Sequence, residues 1–243
     1  TSPTTVADDT GNGNTLTIDY SSGDAAWVAD AQGRGLDFTA TPVDGAPAAL
    51  TKLTNVAANG NIGSAYNNIT QFGFIIIANI DAGHDWGARV FQIGTDSGDG
   101  QLAMVEGSFA NQLRLAGVTI CDMPQLTGIG KTIVRVDIDT TQALAADRIK
   151  CYYGNVAQLV ANIVLPQNTA LNCNNASYSL TVGNRGDGAR NIDGRVRYLE
   201  FYTGVSTTQE RSAAQAALAV NDDANWVAAN SDPALDTPQA DVT

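Results

Sequence analysis

The sequence predicts an all-β protein: an antiparallel two-sheet sandwich with one short helix near its carboxy terminus. Three observations predict it. Apolar and polar residues alternate with period two in several runs, the pattern of a strand with one buried face. The 25 acids are 22 Asp and three Glu, lysine stands only at Lys52, Lys131 and Lys150, and there are 20 Asn and 24 Gly. Asp, Asn and Gly favour turns, whereas Glu and Lys favour helices. Clusters of these turn formers then separate the alternating runs.

Residues 1–8 read as an amino-terminal arm, and residues 9–220 as one sandwich domain. Its first clear strand is 15–20, with Leu16, Ile18 and Tyr20 on one face and Thr15, Thr17 and Asp19 on the other. The stretch 72–80 is apolar on nearly both faces and is placed centrally. In 132–138, Val134, Val136 and Ile138 oppose Ile133, Arg135 and Asp137. In 148–153, Ile149, Cys151 and Tyr153 oppose Arg148, Lys150 and Tyr152. In 177–182, Tyr178, Leu180 and Val182 oppose Ser177, Ser179 and Thr181. Each alternating run is expected to keep one wet face. Ser206 or Thr207 caps a helix over 206–220, with Gln209 or Glu210 three residues on. A polar tail, 221–243, follows; Asp232, Pro233 and Leu235 in it are expected to touch a neighbouring subunit, since the tail has little apolar area of its own.

Charge narrows the partners. A net charge of -12 repels a polyanion, so nucleic acid is not an expected partner. No apolar run approaches the ~20 residues of a membrane-spanning helix, so no membrane insertion is expected. Cys121, Cys151 and Cys173 permit at most one disulfide.

Residues 178–204 carry a more specific pattern. A strand ends at Gly183-Asn184, a loop follows, and Gly194 opens a last strand with Val196, Leu199, Phe201 and Tyr202; Val205-Ser206 and Gln209-Glu210 come next. This resembles the carboxy-terminal part of laminin G-like domains in the concanavalin A-like lectin/glucanase superfamily. Looser similarities are found at Asp9–Asn14, Gly35–Phe38, Phe72–Asp81, Val90–Gly94 and Leu102–Val105. The resemblance implies a jelly-roll of two curved antiparallel sheets.

That superfamily includes retaining glucanases with a Glu-x-Asp-x-Glu strand, because two carboxylates must flank the scissile bond. Here Gly107-Ser108-Phe109 follows Glu106 and Phe201-Tyr202 follows Glu200, so neither glutamate gives that motif. The superfamily's polysaccharide lyases need His, Tyr, Gln and Arg together, and the single histidine, His84, lies in Ala82-Gly83-His84-Asp85-Trp86 without them. The expectation is therefore a non-catalytic protein, with a glycan-cleaving enzyme as the competing reading.

A pyranose stacks on an aromatic face while its hydroxyls bond Asp and Asn. Trp86, with His84 and Asp85, is the first candidate platform for a glycan; Tyr66, beside Asn67, is the second. Calcium would need six to eight oxygens. Asp81 and Asp85 offer one candidate loop and Asp96 and Asp99 another, while turn chemistry explains both spacings unaided. The strand 88–94 holds these loops roughly 20 Å apart, too far to share one ion. Arg185-Gly186-Asp187 spells an integrin tripeptide, equally readable as a polar turn. The expected role is a surface module of an extracellular, cell-surface or virion (phage-type) assembly, which binds glycans or docks to other protein subunits. A purely structural decoration protein is the third reading.

Overall fold

In this computed structural model the described residues are 4–8, 11–20, 25–30, 33–38, 50–81, 87–95, 100–107, 110–154, 156–188 and 190–205. In chain order the strands are β1 (Thr5–Val6), β2 (Leu16–Asp19), β3 (Ala25–Asp30), β4 (Gly33–Phe38), β5 (Leu50–Leu53), β6 (Asn67–Ile69), β7 (Gln71–Ile80), β8 (Ala88–Gly94) and β9 (Leu102–Glu106). They continue as β10 (Asn111–Leu115), β11 (Val118–Met123), β12 (Thr132–Asp139), β13 (Ile149–Tyr153), β14 (Val156–Gln158), β15 (Leu171–Asn172), β16 (Ser179–Val182) and β17 (Gly194–Thr203). One α-helical turn, α1 (Asn61–Ala65), and a 3-10 turn at Ala145–Asp147 complete the described elements.

Two large antiparallel sheets form the jelly-roll sandwich. The first has eight strands in the order β1-β2-β5-β16-β8-β9-β10-β11; the second has seven, in the order β14-β13-β12-β7-β17-β4-β3. Thr5–Val6, in the expected arm, already pair with β2. A small third sheet pairs β15 with β6.

The core lies between the large sheets. Phe72, Phe74 and Ile76 of β7 and Val134, Val136 and Ile138 of β12 meet Phe91, Ile93, Leu102, Met104 and Leu113 from the facing sheet. Edge-to-face aromatics bind the layers: Phe74 and Phe91 centroids are 4.8 Å apart, and Phe91 and Phe201 are 5.3 Å apart. Leu180 and Val182 are buried, as their alternation predicted. β7 is central, between β12 and β17.

Two of the expected wet faces are dry. Ser179 and Thr181, on the outer face of β16 between β5 and β8, are buried. Arg135 and Asp137 are only 3% and 4% exposed, and they are paired with each other at 3.4 Å. Alternation marks which residues share a face, and β16 and β12 show that it leaves open whether the second face is covered. The three cysteines are buried and free, so the permitted disulfide does not form.

One side wall is closed by the segment after β14. Asp122 and Ala161 exchange two backbone hydrogen bonds of 2.9 Å, and the Val164 amide donates to the Ile120 carbonyl at 2.9 Å. Val160 and Ile163 turn inward against the core. The expected helix 206–220, the tail 221–243, and Asp232, Pro233 and Leu235 with it, lie outside the described residues.

Candidate functional site

The outer face of the eight-stranded sheet carries a row of polar side chains in register. Pairing runs Thr17↔Lys52, Lys52↔Thr181, Thr181↔Gln92, Gln92↔Ala103, Ala103↔Arg114 and Arg114↔Thr119, so one row crosses seven strands. Strands lie about 4.8 Å apart, so Lys52 and Arg114 stand roughly 19 Å apart along it. All these residues have the parity opposite to the core residues Leu180, Ile93, Leu102 and Leu113. A second row continues the chemistry, Arg89↔Val105 and Val105↔Gln112.

Burial divides the face. Thr181, Gln92 and Ala103 form a buried floor, whereas Lys52, Gln112, Arg114 and Thr119 are half-buried flanks. The floor is fixed by its own bonds. Arg89 Nε donates to Gln92 Oε1 at 3.2 Å, and Gln92 Nε2 donates to the Thr95 carbonyl at 2.9 Å. On the flank, Arg114 Nη2 and Thr119 Oγ1 both donate to Gln112 Oε1 at 3.4 Å. The row itself holds cations, amides and hydroxyls and no carboxylate.

At one end of the face Arg89 Nη1 donates to the Gly87 carbonyl. A Cβ at Gly87 would lie 3.7 Å from Arg89 Nη1 and 3.8 Å from Arg190 Nη1, so two guanidinium groups reach the same small space. Gly87 is in the left-handed region, φ 87°, where glycine is favoured. In the sequence it directly follows His84, Asp85 and Trp86. Those three lie outside the described residues, as do Asp96 and Asp99.

The remaining sequence candidates have clear positions. Tyr66 is a correction. It is 2% exposed, its hydroxyl lies 2.7 Å from the Tyr202 carbonyl and 3.0 Å from that of Gly73, and its ring packs edge-on against Phe72 and Phe201. An aromatic flanked by asparagines reads as a surface loop, but here the neighbouring α1 turn directs its ring into the core. Asn67 is exposed on β6, on a different element from the polar row. Asp81 accepts from Asn79 Nδ2 at 2.9 Å. Among the described residues, no three of His, Cys, Asp and Glu gather as a metal set.

The loop after β16 is a closed knot. Arg185 grips Asp187 through two bonds, Nε to Oδ1 at 2.8 Å and Nη2 to Oδ2 at 2.6 Å. Beneath them the fully buried Asn184 accepts the Arg185 and Arg190 amides on Oδ1, each at 2.8 Å, and donates to the Gly188 carbonyl at 3.2 Å. The Arg-Gly-Asp tripeptide is thus closed on itself, the turn reading of the sequence.

Glu106 is fully buried at the end of β9, and its Oε1 accepts from the Thr127 amide at 3.1 Å and from the Thr127 hydroxyl. Glu200 accepts from the Tyr198 hydroxyl at 2.8 Å. Asp37 pairs with Arg195 at 2.8 Å, and Asp139 accepts from Gln71, Thr141 and Gln142. These carboxylates are engaged in holding strands and loops together.

Sequence reasoning missed Arg89, Gln92, Gln112 and Arg114. The signal was faint: 88–94 reads as a mostly apolar run, and only strand order brings Lys52 of β5 into line with Arg114 of β10.

No protein-family model and no curated protein matches the chain. Solved structures do. A Trypanosoma rangeli sialidase in complex with 2,3-difluorosialic acid is 14% identical, with a TM-score of 0.55 over 83% of this chain and 29% of that one. A mutant of that sialidase displaying trans-sialidase activity is 14% identical, with a TM-score of 0.54 over 82% and 28%. The sialidase without a named ligand is 15% identical, with a TM-score of 0.53 over 83% and 29%. The chain spans less than a third of the sialidase chains it matches, and at such identities the likeness is one of fold.

Proposed function

We propose that this chain is a non-catalytic recognition module of the laminin G-like, concanavalin A-like kind, which binds glycan on the outer face of its eight-stranded sheet. The observation that carries this is the cross-sheet row itself. Lys52, Gln112, Arg114 and Thr119 offer donors suited to sugar hydroxyls and to a sugar carboxylate. Arg89 and Gln92 beneath them are held by their own hydrogen bonds, so the floor is preorganised. The ligand class this favours is an acidic glycan, because the row presents cations in a chain whose net charge is -12. Trp86, adjacent in sequence to Gly87, is the aromatic stacking candidate in this reading.

The same face supports the non-catalytic reading. Most glycosidases cleave the glycosidic bond with two carboxyl groups at a set separation. The row has none, and Glu106, Glu200, Asp37 and Asp139 hold fold contacts instead. The setting proposed is extracellular, on a cell or virion surface, where such a module also meets other subunits.

The test is binding of the full chain to a glycan panel that includes sialylated and uronate-bearing sugars, with and without calcium. Binding to acidic glycans that falls at least tenfold, about 1.4 kcal/mol, in Arg114→Ala and Lys52→Ala is the expected result. Release of reducing ends or unsaturated sugars above a heat-denatured control would favour the glycan-cleaving reading. Binding unchanged in both variants would remove the sheet face from consideration.

A further inference from the structure

The second sheet is buried on its outer face as well as on its inner one. Ile75 and Ile77 of β7 are each 2% exposed, yet they point away from the layer between the sheets, where Phe74, Ile76 and Ala78 lie, and neither belongs to the core. Register makes them part of one patch. Arg135, Ile75 and Glu200 stand opposed in one row, Ile133, Ile77 and Tyr198 in the next, and Asp137, Gly73 and Tyr202 in a third. Side chains stand roughly perpendicular to a sheet, so neighbours in the same sheet cover the flanks of an isoleucine and leave its tip open. Burial to 2% therefore calls for a layer on top.

The dry area has the footprint of one helix. It runs from the buried Arg135 and Asp137 of β12, across β7, to the half-buried Tyr198 and Glu200 of β17. Three strands about 4.8 Å apart make a width of roughly 10 Å, and a helix with its side chains is about 10–12 Å wide. On β13 the Lys150 side chain is already 47% exposed. Along β7 the burial weakens at Asn79, which is half-buried.

We propose that the layer is residues 206–220, folded as a helix and laid back over the strand it leaves. The end of β17 supports this occupant. Thr203 stands opposite Phe72, near the start of β7. Gly204 follows in the left-handed region, φ 81°, and its amide donates to the Gln71 carbonyl at 2.9 Å, so the chain turns at that end of the sheet. From there Ile75 lies about 10 Å back along β7 and Ile77 about 17 Å. A helix rising about 1.5 Å per residue from Ser206 brings Ala213 or Ala214 above Ile75 and Ala217 or Leu218 above Ile77. It ends about 22 Å along, near Asn79. These four apolar residues share one helical face, and Ser212 and Gln215 lie on the other. The other long stretch outside the described residues, 39–49, starts at the wrong end: it follows Phe38, opposite Gly194 at the beginning of β17, and leads to β5 in the first sheet. The inference does not rest on glycan binding, which uses the first sheet.

Amide exchange of the full chain at about 1 and 100 μM tests it. Amides of 206–220 should exchange at least tenfold more slowly than the same sequence unstructured, equally at both concentrations. Leu218→Glu should remove that protection, whereas Gln215→Glu, on the far face of the helix, should not. Circular dichroism reports whether each variant keeps its strands. For position, Ile77→Cys with Leu218→Cys should close a disulfide within one chain under oxidised glutathione, and Ile77→Cys with Gln215→Cys should not. Unprotected amides over 206–220 in the wild type overturn the proposal, and that measurement needs no variant. Protection confined to the higher concentration also overturns it, because a second chain would then be the cover. So do protection that survives Leu218→Glu, and a protected segment in a folded double-cysteine variant that forms no such disulfide.

Discussion

Tyr202 of β17 reaches across β7 to Asp137 of β12: its hydroxyl donates to Oδ1 at 2.7 Å, passing over Gly73. The Arg135 guanidinium lies 4.9 Å from the Tyr202 ring centroid and completes the cluster. The register places Gly73 between the two residues, and a Cβ there would fall 2.3 Å from the Tyr202 hydroxyl oxygen. The three central strands of the second sheet are thus tied on their outer face by one side chain, and the missing Cβ is what admits it.

Gly73→Ala should therefore destabilise the fold by about 1–3 kcal/mol, through overpacking. For a chain of this size each kcal/mol lowers Tm by about 2–4 °C. Tyr202→Phe should also destabilise, because Asp137 loses a donor while staying buried. An unchanged Tm in both variants would show that the bridge is not a strong contributor.

Alkaline titration should reveal at least three silent phenols. Burial raises the pKa of Tyr66, Tyr153 and Tyr202, and for Tyr202 the charge of Asp137 adds to it. The neutral phenol is thus favoured by the fold. The associated stability is fully present below the unfolded pKa of about 10 and is lost as pH rises above it. Absorbance near the phenolate band should show these groups ionising only together with unfolding. Reversible ionisation of all tyrosines near pH 10 in the folded protein would contradict the burial.

The thiols should be inert. Burial raises Cys121 and Cys173 to about 12, and Cys151 is raised further. A thiol reagent at pH 8 should label none of the three in the native protein and all of them in denaturant. Rapid native labelling of even one would place it at the surface.

Leu180→Ala should cost about 2–5 kcal/mol, because Leu180 is buried in the core at the middle of the first sheet. Denaturant unfolding gives the difference directly. A loss below 1 kcal/mol would mean that the sheets are less tightly packed around β16 than the structure shows.

Much of the fold was legible in the sequence, and the site was not. Val134, Val136, Ile138, Leu180 and Val182 betrayed the buried face through local periodicity, which needs no knowledge of strand order. Thr181 and Asp137 looked solvent-facing for the same reason: period two separates the faces of a strand but carries no information on what covers them. The row from Lys52 to Arg114 was invisible, since its members come from β5, β16, β8 and β10, and only tertiary pairing lines them up. Tyr66 misled because its asparagine neighbours describe the backbone turn, whereas the ring obeys the core.

Among the described residues, the last strand of each large sheet to appear in the chain, β16 in one and β17 in the other, is inserted into the middle of its sheet. β16 joins β5 to β8, and β17 joins β7 to β4. Until residues 179–203 have left the ribosome, each sheet exists only as two unconnected halves with raw central edges. Nearly the whole domain must be synthesised before either half can be sealed, so its native contacts are dominated by distant parts of the chain. Such topology folds slowly, after translation rather than along with it. A chain that ends before β16 would retain most of the apolar strands with no partner to cover their edges, and aggregation would be its expected fate.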